Sequence, residues 1–270
     1  MFLFYWCIYL KTELVNDGRN SMEGKGLSMT IDNNPHMITF EEGLYDLGIQ
    51  LSDLQKQQFL DYYEMLIEKN KVMNLTAITE FNEVIHKHFI DSVSLIKAVQ
   101  IKDQKILDLG TGAGFPGIPL KIVFPDTDIV LLDSLNKRIQ FLNEVIKKLE
   151  LRKIVACHGR AEDYGRNADY REKFDLCVSR AVAKLSSLSE YCLPFVKKGG
   201  YFIPYKSGKV EEELVEAERA IGILGAELEG VKEFHLPGTD IERTLVMIKK
   251  SRNTPKSYPR TAGKPSKEPL

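Results

Sequence analysis

Apolar positions change their spacing once along this chain. Between residues 52 and 99 they recur at helical intervals: Phe59, Tyr62, Tyr63, Leu66 and Ile67 make one set, and Phe81, Val84, Ile85, His88, Phe89, Ser92, Leu95, Ile96 and Val99 a second. Each set falls on one face of a helix. Ser52 with Gln55 reads as a capping box for the first helix, which ends near Lys71, and "NLTAIT" separates it from the second. From residue 104 short apolar runs alternate with amphipathic stretches, the texture of βαβ units on a parallel sheet. Strands are predicted near 105–109, 128–132, 153–157, 174–178, 200–205, 231–236 and 244–249, and helices near 117–124, 135–149, 184–196 and 209–224. The expected fold is α/β and Rossmann-like: a mostly parallel seven-stranded sheet with helices on both faces and an N-terminal helical extension. Four regions follow: 1–36, a disordered or upstream extension with Met37 the natural start; 37–102, helical; 103–250, the α/β domain; and 251–270, a basic proline-rich tail that forms no core.

Composition narrows the class. With 270 residues, 43% hydrophobic and 28% charged, the chain is an ordinary soluble globular protein. The opening "MFLFYWCIYL" is too short to span a bilayer and lacks a positive flank and a small-residue cleavage site, so no membrane association is expected. Cys7, Cys157, Cys177 and Cys192 form no C-x-x-C pair and fit reduced thiols of a cytoplasmic protein. His86 and His88, two apart on a helix, point in different directions, and no metal site is assigned. The formal net charge of -1 conceals an asymmetry, because Lys249, Lys250, Arg252, Lys256, Arg260, Lys264 and Lys267 crowd the C-terminus against the single acid Glu268.

The candidate chemistry begins at "ILDLGTGAGFPGIPL", Ile106 to Leu120. Gly112, Gly114 and Gly117 fit the G-x-G-x-x-G of dinucleotide sites, whereas Gly110, Gly112 and Gly114 fit the D-x-G-x-G of S-adenosylmethionine (SAM) enzymes; no Gly-Lys-Ser/Thr follows, which removes a P-loop. Asp108 separates the remaining two by charge. A pyrophosphate would lie close to its carboxylate, while SAM offers an ammonium and a sulfonium. Pro116 also deletes a backbone N–H that a phosphate would use. Asp133 closes the second strand, where an acid accepts from the ribose hydroxyls of either cofactor, or else caps the helix starting at Leu135.

In this order, "DLGTGAGFPGIPL", "LLDSLNKRIQFL", "GRAEDY", "SRAVA" and "SYPRTAGKPSKEPL" resemble the RsmG family, also called glucose-inhibited division protein B. The resemblance covers about residues 38 to 270 and takes in "NLTAIT" and "HKHFIDS". It implies a class I SAM-dependent methyltransferase that places a methyl group on ring nitrogen seven of a guanine in small-subunit (16S) ribosomal RNA, with that RNA or the small ribosomal subunit as partner. Carried over by position, the family's cofactor contacts fall on Gly110, Phe115, Ala161, Glu162 and Arg180. Asp108, Gly112 and Asp133 join them from the loop pattern and the charge comparison. Each has a plainer reading beside it: Phe115 as a core residue at a helix start, Glu162 as a helix cap, Arg180 as a surface ion pair.

Ring nitrogen seven of guanine bears a lone pair and no proton, so its attack on a sulfonium methyl is an in-line displacement without a general base. Orientation and electrostatics then carry catalysis, and no single catalytic residue is assigned. The Asn-Pro-Pro-aromatic segment of exocyclic-amine methylation is absent, and Cys177, inside "FDLCV", reads as a core thiol. His88 reads as a core histidine. RNA contacts are expected from Lys256, Tyr258, Arg260 and Lys264 in the tail, with Arg138 and Lys206 beside the pocket, or these are solvated charges. A monomer is expected. Two other functions stay open: a non-catalytic SAM-holding module that binds RNA or protein, and a nicotinamide oxidoreductase, which Asp108 and the lack of a recognisable second catalytic domain disfavour.

Overall fold

The computed structural model describes residues 35–180 and 183–270, and the expectations for residues 1–34 lie outside them. Helix α1 (Pro35–Tyr45) leads to α2 (Asp53–Met73). The capping box is present: the Gln55 N–H donates to Ser52 Oγ, and the Ser52 N–H donates to Gln55 Oε1 at 2.9 Å. Asn74, at φ 48°, ends α2 by turning its N–H back to the Asn70 carbonyl. The second predicted helix is less regular than its apolar face implies. It runs as α3 (Phe81–Val84), a π-helical turn (Ile85–Ile90), α4 (Asp91–Val93) and a 3-10 turn (Ser94–Lys97). In the wide turn the Asp91 N–H reaches the carbonyl of His86, five residues back. Such turns gather at functional sites, and apolar spacing does not reveal them.

The sheet comprises β1 (Lys105–Leu109), β2 (Asp128–Asp133), β3 (Ile154–His158), β4 (Phe174–Ser179), β5 (Val196–Lys206), β6 (Ala226–His235) and β7 (Glu242–Lys250). Between and after them lie α5 (Gly117–Val123), α6 (Asn136–Lys148), α7 (Ala161–Tyr164), α8 (Leu185–Cys192), α9 (Glu211–Ile223) and α10 (Lys264–Lys267). Every predicted strand and helix is present. Helix α1 lies within the region expected to be helical but has no predicted element of its own, and the single turns α7 and α10 are additional, too short to leave a period in the sequence. Strand order is β3-β2-β1-β4-β5-β7-β6. The first five strands are parallel, and β7 inserts antiparallel between β5 and β6. A dinucleotide fold of the doubly wound type would have order 3-2-1-4-5-6, so this insertion departs from it. The order reverses between β1 and β4, and the crevice there is where such sheets take ligands.

Alternation along β1 sorts the two faces. Ile106 joins a core that also holds Phe40, Phe59, Tyr62, Leu66, Phe89 and Ile118, while Leu107 and Leu109 join the core made with α8 and α9. The N-terminal helices thus share one core with the sheet. Phe40, Phe59 and Phe89 meet there at centroid distances of 4.9 to 5.9 Å, and burial of each ring contributes about 1.5–3 kcal/mol.

The tail departs from expectation. Residues 251–270 lie against the protein, with Thr254, Pro259 and Pro265 buried. Arg171 Nη2 donates to the Thr254 carbonyl at 2.7 Å and its Nη1 to the Tyr258 carbonyl at 2.8 Å. A segment poor in apolar side chains is held here by its backbone carbonyls, which composition cannot report.

Candidate active site

The loop after β1 has two kinds of glycine. A Cβ added at Gly110 (φ +72°) would meet nothing within 4 Å, and one at Gly112 (φ +62°) only the Gly110 carbonyl at 4.0 Å. Both face open space. At Gly114 a Cβ would lie 2.6 Å from Ile118 and 2.8 Å from Tyr62 Oη, and at Gly117 2.2 Å from Leu131. Those two permit protein packing instead. Tyr62 Oη donates to the Ala113 carbonyl at 2.7 Å, so α2 holds the loop from outside.

Two carboxylates line the inner side of this loop. Asp108 Oδ2 accepts from Thr111 Oγ1 at 2.6 Å and from the Gly117 N–H at 2.8 Å, while its Oδ1 is buried without a partner. Burial raises its pKa to about 7, with Thr111 and the Gly117 N–H pulling the other way. The residue is fully enclosed, which corrects the picture of a carboxylate standing directly beside a ligand. Alternation along β1 turns it to the Ile106 side, under α5 and the N-terminal helices. Asp133 Oδ2 accepts from the Gly112 N–H at 3.0 Å and from Arg138 Nη1 at 3.1 Å, and its Oδ1 accepts from the Leu135 N–H at 2.9 Å. Asp133 therefore ties the loop to the start of α6 through a turn onto the Leu135 N–H; it is not the helix cap, because Leu135 occupies the cap position without a side-chain capping bond. Arg138, expected toward RNA, is instead the partner of this carboxylate.

These residues fit SAM. The cradle at Gly110 and Gly112 is one a side chain would fill, and the loop's N–H groups at Gly112 and, beneath it, Gly117 already point at carboxylates. A pyrophosphate would find those donors taken and two acids behind them.

Phe115 is buried and lies between Tyr62, His88 and Arg180, whose Cζ sits 5.0 Å from the ring centroid. Arg180 is less a surface ion pair than a node. Its Nη1 donates to the Lys87 carbonyl at 2.9 Å and to Asp91 Oδ2 at 3.1 Å, and its Nη2 meets His88 Nδ1 at 3.1 Å. Asp91 gives its other oxygen to Arg243 Nε at 2.9 Å. His88 Nε2 meets Thr76 Oγ1 at 2.9 Å, which ties "NLTAIT" to the same network. Ala161 and Glu162 open α7 at the end of β3, with Glu162 Oε1 accepting from the Gly263 N–H at 2.8 Å.

A cleft of about 730 Å³ adjoins this node, lined among others by Lys87, Asp91, Arg180, Lys209, Glu213 and Arg243. Lys206 also lines it, donating to Glu213 Oε1 at 2.7 Å and to the Ala183 carbonyl at 3.0 Å. Asp91 and Arg243 were not singled out by sequence reasoning. "HKHFIDS" held the signal for Asp91, but nothing local marks an arginine on a late antiparallel strand. Of the tail residues, Arg260 is committed to Glu190, with Nη2 to Oε2 at 2.6 Å, and Tyr258 packs half-buried on the α8–α9 core. Lys256 is exposed, and Lys264 pairs with Glu268 at 3.6 Å on the surface.

The family description rRNA small subunit methyltransferase G (GidB) matches residues 55–246. A protein of Lachnoclostridium phytofermentans named Ribosomal RNA small subunit methyltransferase G is 64% identical over 233 residues, covering 86% of this chain and 96% of that protein. One of the same name from Acetivibrio thermocellus is 53% identical, covering 85% and 94%. Among solved structures, a mutant of MtNAS aligns with a TM-score of 0.50 at 15% identity, over 80% of this chain and 87% of that one, a likeness of fold alone. Among the described residues no helix is long and apolar enough to cross a membrane. The glycine cradle, the seven-stranded order and these relatives converge: the chain belongs to the rRNA small subunit methyltransferase G (GidB) family.

Proposed function

We propose that this protein transfers the methyl group of SAM to ring nitrogen seven of a guanine in small-subunit (16S) ribosomal RNA, acting as a monomer in the cytoplasm. The observation that carries the reading is the open cradle at Gly110 and Gly112, with Asp133 on the Gly112 N–H and Asp108 enclosed beneath the loop. When bound there, SAM supplies an electrophilic methyl group on a cationic sulfur. Asp108 and Asp133 favour that cation, Phe115 and Arg180 bound the pocket, and Ala161 with Glu162 holds the nucleoside end.

The cleft beside the node admits the target nucleotide, and Lys87, Lys184 and Lys209 on its rim attract backbone phosphates. No group need take a proton from ring nitrogen seven. The site agrees: His88 is engaged at both ring nitrogens, and burial together with the Arg180 guanidinium lowers its pKa to about 3. The methylated base leaves with a positive charge, which the same cationic rim repels. Lys256 is exposed and Lys264 pairs with Glu268 on the surface; Arg138, Lys206, Tyr258 and Arg260 act through their protein partners. Free thiols at Cys157, Cys177 and Cys192 suit a reducing compartment.

A labelled-methyl assay on small ribosomal subunits from cells lacking the modification tests the reading. Transfer to ring nitrogen seven is expected; SAM binding without transfer would favour the non-catalytic module.

A further inference from the structure

We propose that the C-terminal segment is a strap that positions Glu162 for the cofactor, rather than an arm for RNA; this rests on Glu162 being a cofactor contact. α7, which carries Ala161 and Glu162, is one turn of four residues. A single turn has too few internal bonds to persist alone, so its orientation must come from outside. The strap provides it. Pro259 packs on Gly165 at the end of α7, so closely that a Cβ there would lie 3.1 Å from its ring, and its carbonyl accepts from Arg166 Nε at 2.9 Å. Arg171 Nη1 bridges the two layers, donating to the Gly165 carbonyl at 2.9 Å and to the Tyr258 carbonyl at 2.8 Å.

The decisive contact is the Gly263 N–H donating to Glu162 Oε1 at 2.8 Å. Gly263 sits at φ +80°, a conformation that only glycine adopts readily, and it is pinned on both sides. Before it, Arg260 meets the fully buried Glu190 through its own N–H at 2.7 Å and through its guanidinium at 2.6 Å. After it, the Pro265 carbonyl accepts from Ser187 Oγ at 2.8 Å. The N–H that fixes Glu162 is thus aimed by two anchors on α8. With Oε1 held, Glu162 presents Oε2 to a ligand donor. The basic residues of the tail are in this light partly structural: Arg260 is an anchor, and its charge is spent on Glu190.

The test compares three proteins with the full wild-type chain: a chain ending at Thr261, which keeps the Arg260–Glu190 pair, the milder Ser187→Ala, and Glu162→Ala. Calorimetry gives the SAM Kd, steady-state methylation gives the KM for small ribosomal subunits, and thermal melts check folding. Loss of a hydrogen bond to a charged group predicts a SAM Kd about tenfold higher for the truncated chain, with the subunit KM moved less than about twofold. Ser187→Ala, which loosens one anchor, should raise the SAM Kd in the same direction by about threefold, and it carries the test alone if the truncated chain does not fold. A raised subunit KM with unchanged SAM Kd overturns the strap and restores the RNA arm. Unchanged SAM Kd in the truncated chain and Ser187→Ala, with a raised value in Glu162→Ala, overturns the strap alone. No change in Glu162→Ala either would overturn the cofactor role of Glu162, and the strap with it.

Discussion

The His88 imidazole lies nearly parallel to the ring of Phe115, with centroids 4.4 Å apart and planes at 14°. Because Nδ1 accepts from Arg180, the Nε2 proton points to Thr76, and the ring is neutral. Burial and the neighbouring guanidinium lower its pKa from 6.5 to about 3. In the unfolded chain His88 takes a proton below pH 6.5, while the folded chain refuses it until about 3. Its contribution to stability is therefore complete above pH 6.5 and is lost as pH falls, at up to about 1.4 kcal/mol per pH unit.

Asp108 works in the opposite sense, since burial raises its pKa from 3.8 to about 7. The folded chain binds that proton first, so its contribution is complete below pH 3.8 and is lost as pH rises to 7. Between pH 4 and 6.5 the two slopes oppose each other. Asp108→Asn removes one of them, and its thermal midpoint should fall with acidification more steeply than that of the wild type. Melts at pH 4.5, 5.5 and 6.5 check this; parallel curves would contradict it.

SAM binding should carry the same signature. A cationic ligand near Asp108 favours the carboxylate, so binding below pH 7 releases a proton and affinity falls toward acid, by up to about tenfold per pH unit. Calorimetry in buffers of different ionisation enthalpy measures the release. It should vanish in Asp108→Asn and persist in His88→Gln.

The elements were legible in the sequence because burial on both sheet faces writes near-continuous apolar runs, and helices write a 3.6-residue period. The cradle was legible for a related reason: Gly110 and Gly112 need positive φ, and few other residues supply it. Side-chain direction was not. Asp108 reads from its position as a pocket-mouth acid, but alternation along β1 buries it, and that depends on which face the N-terminal helices cover. The tail misled in another way. Its charges and prolines describe a solvated segment, yet its attachment is written in Arg171, Glu190 and Glu162, residues scattered through other elements.

The two kinds of glycine separate binding from folding. Gly110→Ala and Gly112→Ala place a methyl group in the open cradle at positive φ, costing about 1–2 kcal/mol of backbone strain. They should fold, with a SAM Kd raised about tenfold or more because the added methyl group occupies space the ligand needs. Gly114→Ala, also at positive φ, adds that strain to a methyl group driven against Ile118, Tyr62 and Leu142 and should destabilise the chain by about 3–5 kcal/mol before any effect on SAM is read. Denaturant melts and calorimetry on the three variants distinguish the roles. Equal loss of stability in all three would place Gly110 and Gly112 within the packing as well.

Asp91 joins the sheet to the cleft. Buried on α4, it holds Arg180 from the end of β4 on one oxygen and Arg243 from β7 on the other. The two guanidiniums repel each other unless this carboxylate lies between them, so the shape of the cleft mouth depends on it. Asp91→Ala strands both, at a cost of about 3 kcal/mol, which for a domain of this size lowers Tm by roughly 6–12 °C. Arg243→Ala leaves Asp91 paired with Arg180 and should cost less, about 1 kcal/mol. The effects should be non-additive, because once Asp91 is gone Arg243 has lost the partner its removal would otherwise cost. Activity should follow the same logic: in Asp91→Ala, kcat/KM for ribosomal subunits falls further than in Arg243→Ala, and adding Arg243→Ala to Asp91→Ala recovers stability by relieving the repulsion. Melts and methylation rates on the two single variants and the double variant complete the cycle, and strict additivity would show that Asp91 does not link the two arginines.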